Sequence, residues 1–127
     1  MADEELSAGR ALGAFARQLH RERRIRDTAF PAELFGEAVW DILLDLFASE
    51  AEDRKVRVSS ACIAACVPAS TALRYLSEME RRGLIVRSPS PDDKRGQYIA
   101  LSEACQAEMR ELLTRLQALR STPPSSD

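Results

Sequence analysis

The chain of 127 residues is poor in reactive groups, with three cysteines and one histidine. An odd cysteine count with no C-x-x-C spacing gives no support to a disulfide framework or a metal site, so reduced thiols are expected. No apolar run approaches the ~20 residues of a membrane span. The opening Met1-Ala2-Asp3-Glu4-Glu5 is acidic and has no apolar h-region, so a secretory leader is not expected and the cytoplasm is. There is no Ser–His–Asp ordering, no Gly-rich phosphate loop and no carboxylate pair beside a base. Neither catalysis nor a cofactor is therefore expected. What is there is a soluble, globular balance of 45% hydrophobic and 30% charged residues. At about 150 residues per domain, the length suits one domain.

The net charge of −2 is unevenly spread. Residues 1–30 hold six arginines and five acids, and 31–53 hold seven acids with no Lys or Arg. Residues 54–98 hold nine basic and four acidic residues, and 99–127 hold three arginines and four acids. A near-neutral total thus conceals an acidic block followed by a basic one. The acids of 31–53 lack calcium-loop spacing and read as a solvated face. The basic segment reads either as another solvated surface or as a polyanion-binding face.

Periodicity supplies the elements. Ala8, Ala11, Leu12, Phe15 and Leu19 make one face of a helix over about 6–25, with Arg10, Arg17, Arg21 and Arg24 opposite. Gly9 and Gly13 on it suit close helix contact. Asp27 to Pro31 breaks the pattern. A helix over about 32–50 is apolar around most of its circumference, which marks a core helix, and Trp40 reads as core packing. Val56-Arg57-Val58 alternates as a short strand, and Ser59-Ser60 offers an N-cap to a short helix from Ala61 to about Ala65. Pro68 opens a helix over about 69–82 with Ala72, Tyr75, Leu76 and Met79 inward, and Gly83 ends it. Leu84–Arg87 and Tyr98–Leu101 read as a hairpin around the turn-rich segment 88–96. Ser102 caps a last helix, about 103–120, whose stripe is Cys105, Met109, Leu112, Leu113, Leu116 and Leu119. Residues 121–127 read as a disordered tail.

Short strand, helix, turn, helix and hairpin is the order of a winged helix-turn-helix. The expected fold class is mainly α with a small β-hairpin wing, flanked by N- and C-terminal dimerisation helices. A helix fits the major groove, where base edges are distinguishable, and a basic hairpin reaches the backbone or minor groove. The second helix carries Ser70, Thr71 and Arg74 near its N-terminus, the end that docks in such motifs. The hairpin carries Lys94 and Arg95.

Positions 40–102 also resemble the MarR family of bacterial transcription regulators. The resemblance runs through Trp40-Asp41-Ile42-Leu43-Leu44-Asp45-Leu46, Val58-Ser59-Ser60 and Val67-Pro68-Ala69-Ser70-Thr71-Ala72-Leu73-Arg74. It continues in Glu80-Arg81-Arg82-Gly83-Leu84-Ile85-Val86-Arg87, similar to the family's E-x-x-G-L-V-x-R. It ends in Asp93-Lys94-Arg95-Gly96-Gln97-Tyr98-Ile99-Ala100-Leu101-Ser102, similar to its D-x-R wing. Both outer helices are shorter than is usual there. Cys66 stands where Gly is common, Pro68 replaces a hydroxyl cap, and Leu73 stands where Ser or Thr is frequent.

The resemblance implies a cytoplasmic, nucleoid-associated homodimer that binds a pseudopalindromic double-stranded DNA site, most often as a repressor. It implies that Arg95 enters the minor groove and that Asp93 anchors the wing. Arg74, Ser70 and Thr71 would contact bases or backbone. Lys94 and Arg87 would contact phosphate, with Arg54, Lys55 and Arg57 as weaker candidates. The layout is then 1–30 for dimerisation, 31–102 for DNA binding, 103–120 for dimerisation and 121–127 as tail. Leu12, Phe15, Leu19, Met109, Leu112 and Leu116 are the expected dimer contacts. A small-molecule effector is allowed without identity. Two other readings stand beside this one. One is a winged-helix module that binds protein and not DNA. The other is a regulator that senses oxidants through Cys62, Cys66 or Cys105.

Overall fold

A computed structural model describes residues 2–30, 37–90 and 93–121 of the chain. Five helices and three short strands follow in the order α1 (Ala2–Ala29), α2 (Ala38–Ala51), β1 (Val56–Arg57), α3 (Val58–Ala64), α4 (Ala69–Arg81), β2 (Ile85–Ser90), β3 (Asp93–Leu101) and α5 (Glu103–Ser121). The result is a mainly helical winged helix-turn-helix with one three-stranded antiparallel sheet in the order β1-β3-β2.

The first helix is longer than the expected 6–25. Asp3, Glu4 and Glu5 occupy its first turn, where carboxylates complement the positive end of the helix dipole. At the other end, the Thr28 hydroxyl donates to the Ile25 carbonyl at 2.6 Å, so the polar residues there do not interrupt the helix. Helix α2 starts at Ala38, and the expected start near residue 32 lies outside the described residues.

Helix α2 is the centre of the core. Its Ile42, Leu44 and Phe47 are fully enclosed, along with Leu76 and Met79 of α4, Ile85 of β2 and Leu113 of α5. Each such side chain contributes roughly 1.5–3 kcal/mol relative to exposure. Helix α1 lies along α2, and Gly13 makes the approach possible, since a Cβ there would collide with the Cβ of Ala51. Gly9, also expected at a close contact, faces open space.

This packing relocates the expected dimer residues. Leu12, Phe15, Leu19 and Met109 are buried in the chain's own core, and Leu116 packs against it half-buried. Of the six, only Leu112 is exposed, at 40%. The correction has a simple cause: α1 needs an apolar stripe to lie against α2, so that stripe is consumed within one chain.

The expected solvated acidic face is corrected in part, since Glu50, Glu52 and Asp53 are exposed. Asp41 and Asp45 are not solvated but buried. Arginines of α1 cover them, so Arg17 and Arg24 face α2 rather than the opposite side.

Local signals explain the remaining boundaries. Val58 leaves the strand and starts α3, whose N-cap is Arg57 rather than Ser59 or Ser60. Helix α4 ends at Gly83 with φ +75, where the amides of Leu84 and Gly83 donate to the carbonyls of Met79 and Glu80. That pair of bonds is the Schellman ending that glycine permits. The hydroxyl of Ser102 accepts from the Cys105 amide at 3.1 Å and donates to the Gly83 carbonyl at 2.7 Å. One side chain therefore caps α5 and ties it to the end of α4. The hairpin strands run further into the turn-rich segment than expected, with Ser90 opposite Asp93 and a register irregularity after Pro89.

Candidate nucleic-acid interface

Helix α4 presents two faces. Ala72, Leu76 and Met79 are buried and Tyr75 is half-buried, which anchors the helix. Ser70, Leu73, Arg74, Ser77 and Arg81, spaced as one helical stripe, are all exposed. Pro68 is the N-cap with φ −54 and ψ 146, and its carbonyl accepts from the Ala72 amide at 2.9 Å. A proline fits there because an N–H at the helix start has no intrahelical partner.

The sequence-expected residues on this helix sit close together. Ser70 is exposed and Thr71 half-buried at its flank. The Arg74 guanidinium lies 5.8 Å from the centroid of the Tyr75 ring. Leu73, 44% exposed, stands on the outer stripe and does not pack inward. Lower on the helix, Glu78 accepts from Arg81 and Arg82, with its Oε1 at 2.5 Å and 2.8 Å. Those hydrogen bonds hold its carboxyl down to about 2. Arg81 and Arg82 are thereby tied to their own helix.

Arg87 also proves to be engaged. Its Nε donates to Glu80 of α4 at 3.1 Å, and its Nη1 donates to Gln97 at 3.3 Å. It lies opposite the buried Ile99, on the sheet face turned toward the core. Arg54 reaches back to Ser49 and Glu52 at the end of α2. The backbone of Asp93, Lys94 and Arg95 belongs to β3, while their side chains lie outside the described residues.

The turn between α3 and α4 is held from outside by α1. The Nε2 of His20 and the Nη1 of Arg24 both reach the Ala64 carbonyl, each at 3.3 Å. Arg24 also contacts the Cys66 sulfur. Burial pushes the His20 imidazole below its usual range. Sequence periodicity does not reveal this clamp, because its partners are forty or more residues apart. Cys66 itself is exposed with φ +55, a left-handed position for which glycine is better suited. Cys62 and Cys105 are buried, and burial pushes both thiols up, away from the reactive thiolate. Cys62 and Cys66 therefore do not share an exposed face. An open groove of about 460 Å³ lies where α1 passes the end of α2, lined by Arg10, Gly13, Arg17, Arg21, Glu52 and Asp53 among others.

No protein-family model and no curated protein matches the chain. Solved structures do. AbsC, a MarR family transcriptional regulator from Streptomyces coelicolor, is 23% identical, with a TM-score of 0.52 over 98% of this chain and 84% of that one. A mutant form of MepR from S. aureus is 19% identical, with a TM-score of 0.55 over 86% of this chain and 79% of that one. The heme sensor protein PefR from Streptococcus agalactiae, in complex with heme, is 20% identical, with a TM-score of 0.50 over 87% and 76%. At these identities the likeness is one of fold: the winged helix seen in MarR-type regulators.

Proposed function

We propose that this chain is a sequence-specific regulator of transcription that binds double-stranded DNA. The observation that carries the reading is the exposed stripe of α4, Ser70, Leu73, Arg74 and Ser77, on a helix anchored by its opposite face beside a hairpin. A helix with that division enters the major groove with its N-terminal turns. Ser70 and Thr71 would meet backbone or bases, Arg74 a phosphate or guanine edge, and Leu73 a thymine methyl. Lys94 and Arg95 would extend the footprint to the minor groove, with Asp93 as wing anchor. Arg87 enters this reading as the strut that holds the wing to α4 through Glu80, in place of its expected phosphate contact.

The same reading makes the protein a cytoplasmic homodimer that acts as a repressor on a pseudopalindromic site. Support for pairing comes from Leu6 and Ile25 of α1 and Leu112 and Leu119 of α5, large apolar side chains that stay exposed on the outer helices. The same reading allows a small-molecule effector of unassigned identity.

A gel shift on DNA fragments from the organism's own upstream regions, run across a salt series, tests the proposal. Binding that weakens steeply with salt is expected, because phosphate neutralisation releases counterions. Arg74→Ala combined with Arg95→Ala should abolish the shift and leave thermal unfolding unchanged. Absence of any shift at low salt would overturn the reading in favour of a protein-binding winged helix.

A further inference from the structure

The corner between α3 and α4 leaves one carbonyl for α1 to hold. Helix α3 ends at Ala64, and the last carbonyls of a helix have no amide of their own helix to accept from. Those of Ala61 and Ile63 accept from the amides of Ala65 and Cys66. The Ala64 carbonyl accepts from α1, where His20 Nε2 and Arg24 Nη1 each lie at 3.3 Å. Cys66 then turns the chain with φ +55, a conformation that a residue with a Cβ keeps only where its surroundings fix it. Arg24 contacts its sulfur. Pro68 and α4 follow, so the direction in which Ser70, Leu73 and Arg74 point is set at this corner.

A carbonyl only accepts, so His20 Nε2 carries the hydrogen and the neutral ring leaves Nδ1 without one. Protonation of Nδ1 sets a full charge beside the Arg24 guanidinium, which donates to the same oxygen. The groups acting on His20 are Arg24 of α1, Asp41 and Asp45 of α2 and the Ala64 carbonyl of α3. Both carboxylates are already engaged, Asp41 by Arg23 and Arg24 and Asp45 by Arg17. The ring is half-buried, so water does little to screen the two cations. Burial, the largest influence, and Arg24 together outweigh the carbonyl and the carboxylates.

We infer that His20 is a positioning residue for α4: its neutral ring, with Arg24, locks the α3–α4 corner in the geometry that reads DNA, and its protonation unlocks it. The inference rests on the DNA-binding reading and adds a dependence on pH to it. His20 acts through the Ala64 carbonyl and not on the DNA. The sign of the effect separates the two roles. A histidine that met a phosphate would strengthen binding when charged. His20 weakens binding when charged, so affinity is full where the ring is neutral and falls with pH. It is the only histidine of the chain. Ordinary carboxylates titrate below about pH 5, so a change in affinity between about pH 5.5 and 7 reports on this ring.

The test is the affinity of the full-length chain for a fluorescent duplex, measured by anisotropy at fixed ionic strength from about pH 7 down to 5.5. The duplex is the upstream fragment bound most tightly in the gel shift, and circular dichroism at each pH confirms that the chain stays folded. Wild-type affinity should fall as pH drops, with a slope approaching about tenfold per pH unit, the limit for one proton. His20→Gln keeps a donor for the Ala64 carbonyl and cannot titrate, so its profile should be flat. His20→Ala removes the donor and should bind at pH 7 as weakly as the wild type at 5.5. A wild-type affinity that holds or rises as pH falls overturns the inference and leaves the DNA reading intact. So does a His20→Gln profile as steep as that of the wild type. Failure of the wild-type chain to bind any upstream fragment at low salt and pH 7 overturns both.

Discussion

Arg17 of α1 donates its Nη1–H to the Oδ1 of Asp45 in α2 at 2.8 Å, across 28 residues of sequence. The same guanidinium reaches Glu52 at 2.8 Å. Further along, Arg23 and Arg24 share Asp41, with Arg24 Nη2 at 2.7 Å from its Oδ2. Asp41, Asp45 and Glu52 of the acidic block are thus partners of arginines that precede them. In the basic segment that follows, Arg81 and Arg82 pair with Glu78 and Arg87 with Glu80, while Arg74 is exposed on α4.

Asp41 is the keystone of that pairing, because its side chain is nearly enclosed and serves two arginines. Removing one partner of a buried pair leaves charge uncompensated, a loss of roughly 3–5 kcal/mol. Asp41→Ala should lower unfolding free energy by that amount in chemical denaturation. Glu111→Ala breaks an exposed pair with Arg115 and should change stability by less than about 1 kcal/mol. Equal effects would contradict the buried role.

His20 sets an acid limit. Burial, the largest cause, lowers its folded pKa, with Arg24 acting the same way and the Ala64 carbonyl, Asp41 and Asp45 opposing. The unfolded chain therefore binds the proton more readily. Stability is full above the unfolded value of about 6.5 and declines as pH falls from there toward the folded value. His20→Gln should flatten the dependence of the unfolding midpoint on pH in that window, and an unchanged slope would refute the assignment.

The two kinds of apolar residue on the outer helices should separate by experiment. Leu12→Asp places a charge in the core and should unfold the chain. Leu119→Asp changes a side chain that is 73% exposed and should leave the fold intact while shifting sedimentation from dimer to monomer. A stable dimer carrying Leu119→Asp together with Leu112→Asp would remove α5 from the interface.

Gly13 and Ala51 should be coupled. Gly13→Ala forces α1 away from α2 and should destabilise by about 1–3 kcal/mol, as overpacking does. Adding Ala51→Gly should restore part of that loss despite the weaker helix propensity of glycine. Additive losses in the double variant would show that the two positions are not in contact.

The order of elements was legible because each has a local cause. Gly83 stops α4, Ser102 caps α5, and Ala72, Leu76 and Met79 mark an inward face. What was not legible depends on contacts between distant segments. The stripe of Leu12, Phe15 and Leu19 announces a buried face without saying whether the same chain or another buries it. Arg87 reads as a phosphate contact in sequence, and only the fold brings Glu80 and Gln97 to it. Tyr98 reads as a strand residue, and only the β1–β3 register sets it beneath Lys55 and Arg57.

The most direct test of the central claim is selection of binding sites from a random duplex pool, followed by hydroxyl-radical footprinting of the winner. The account predicts a pseudopalindrome whose two protected half-sites lie about ten base pairs apart, one helical turn. It also predicts that Arg74→Ala lowers affinity for that site far more than for random DNA. A pool that never converges, or a footprint unchanged in Arg74→Ala, would contradict it.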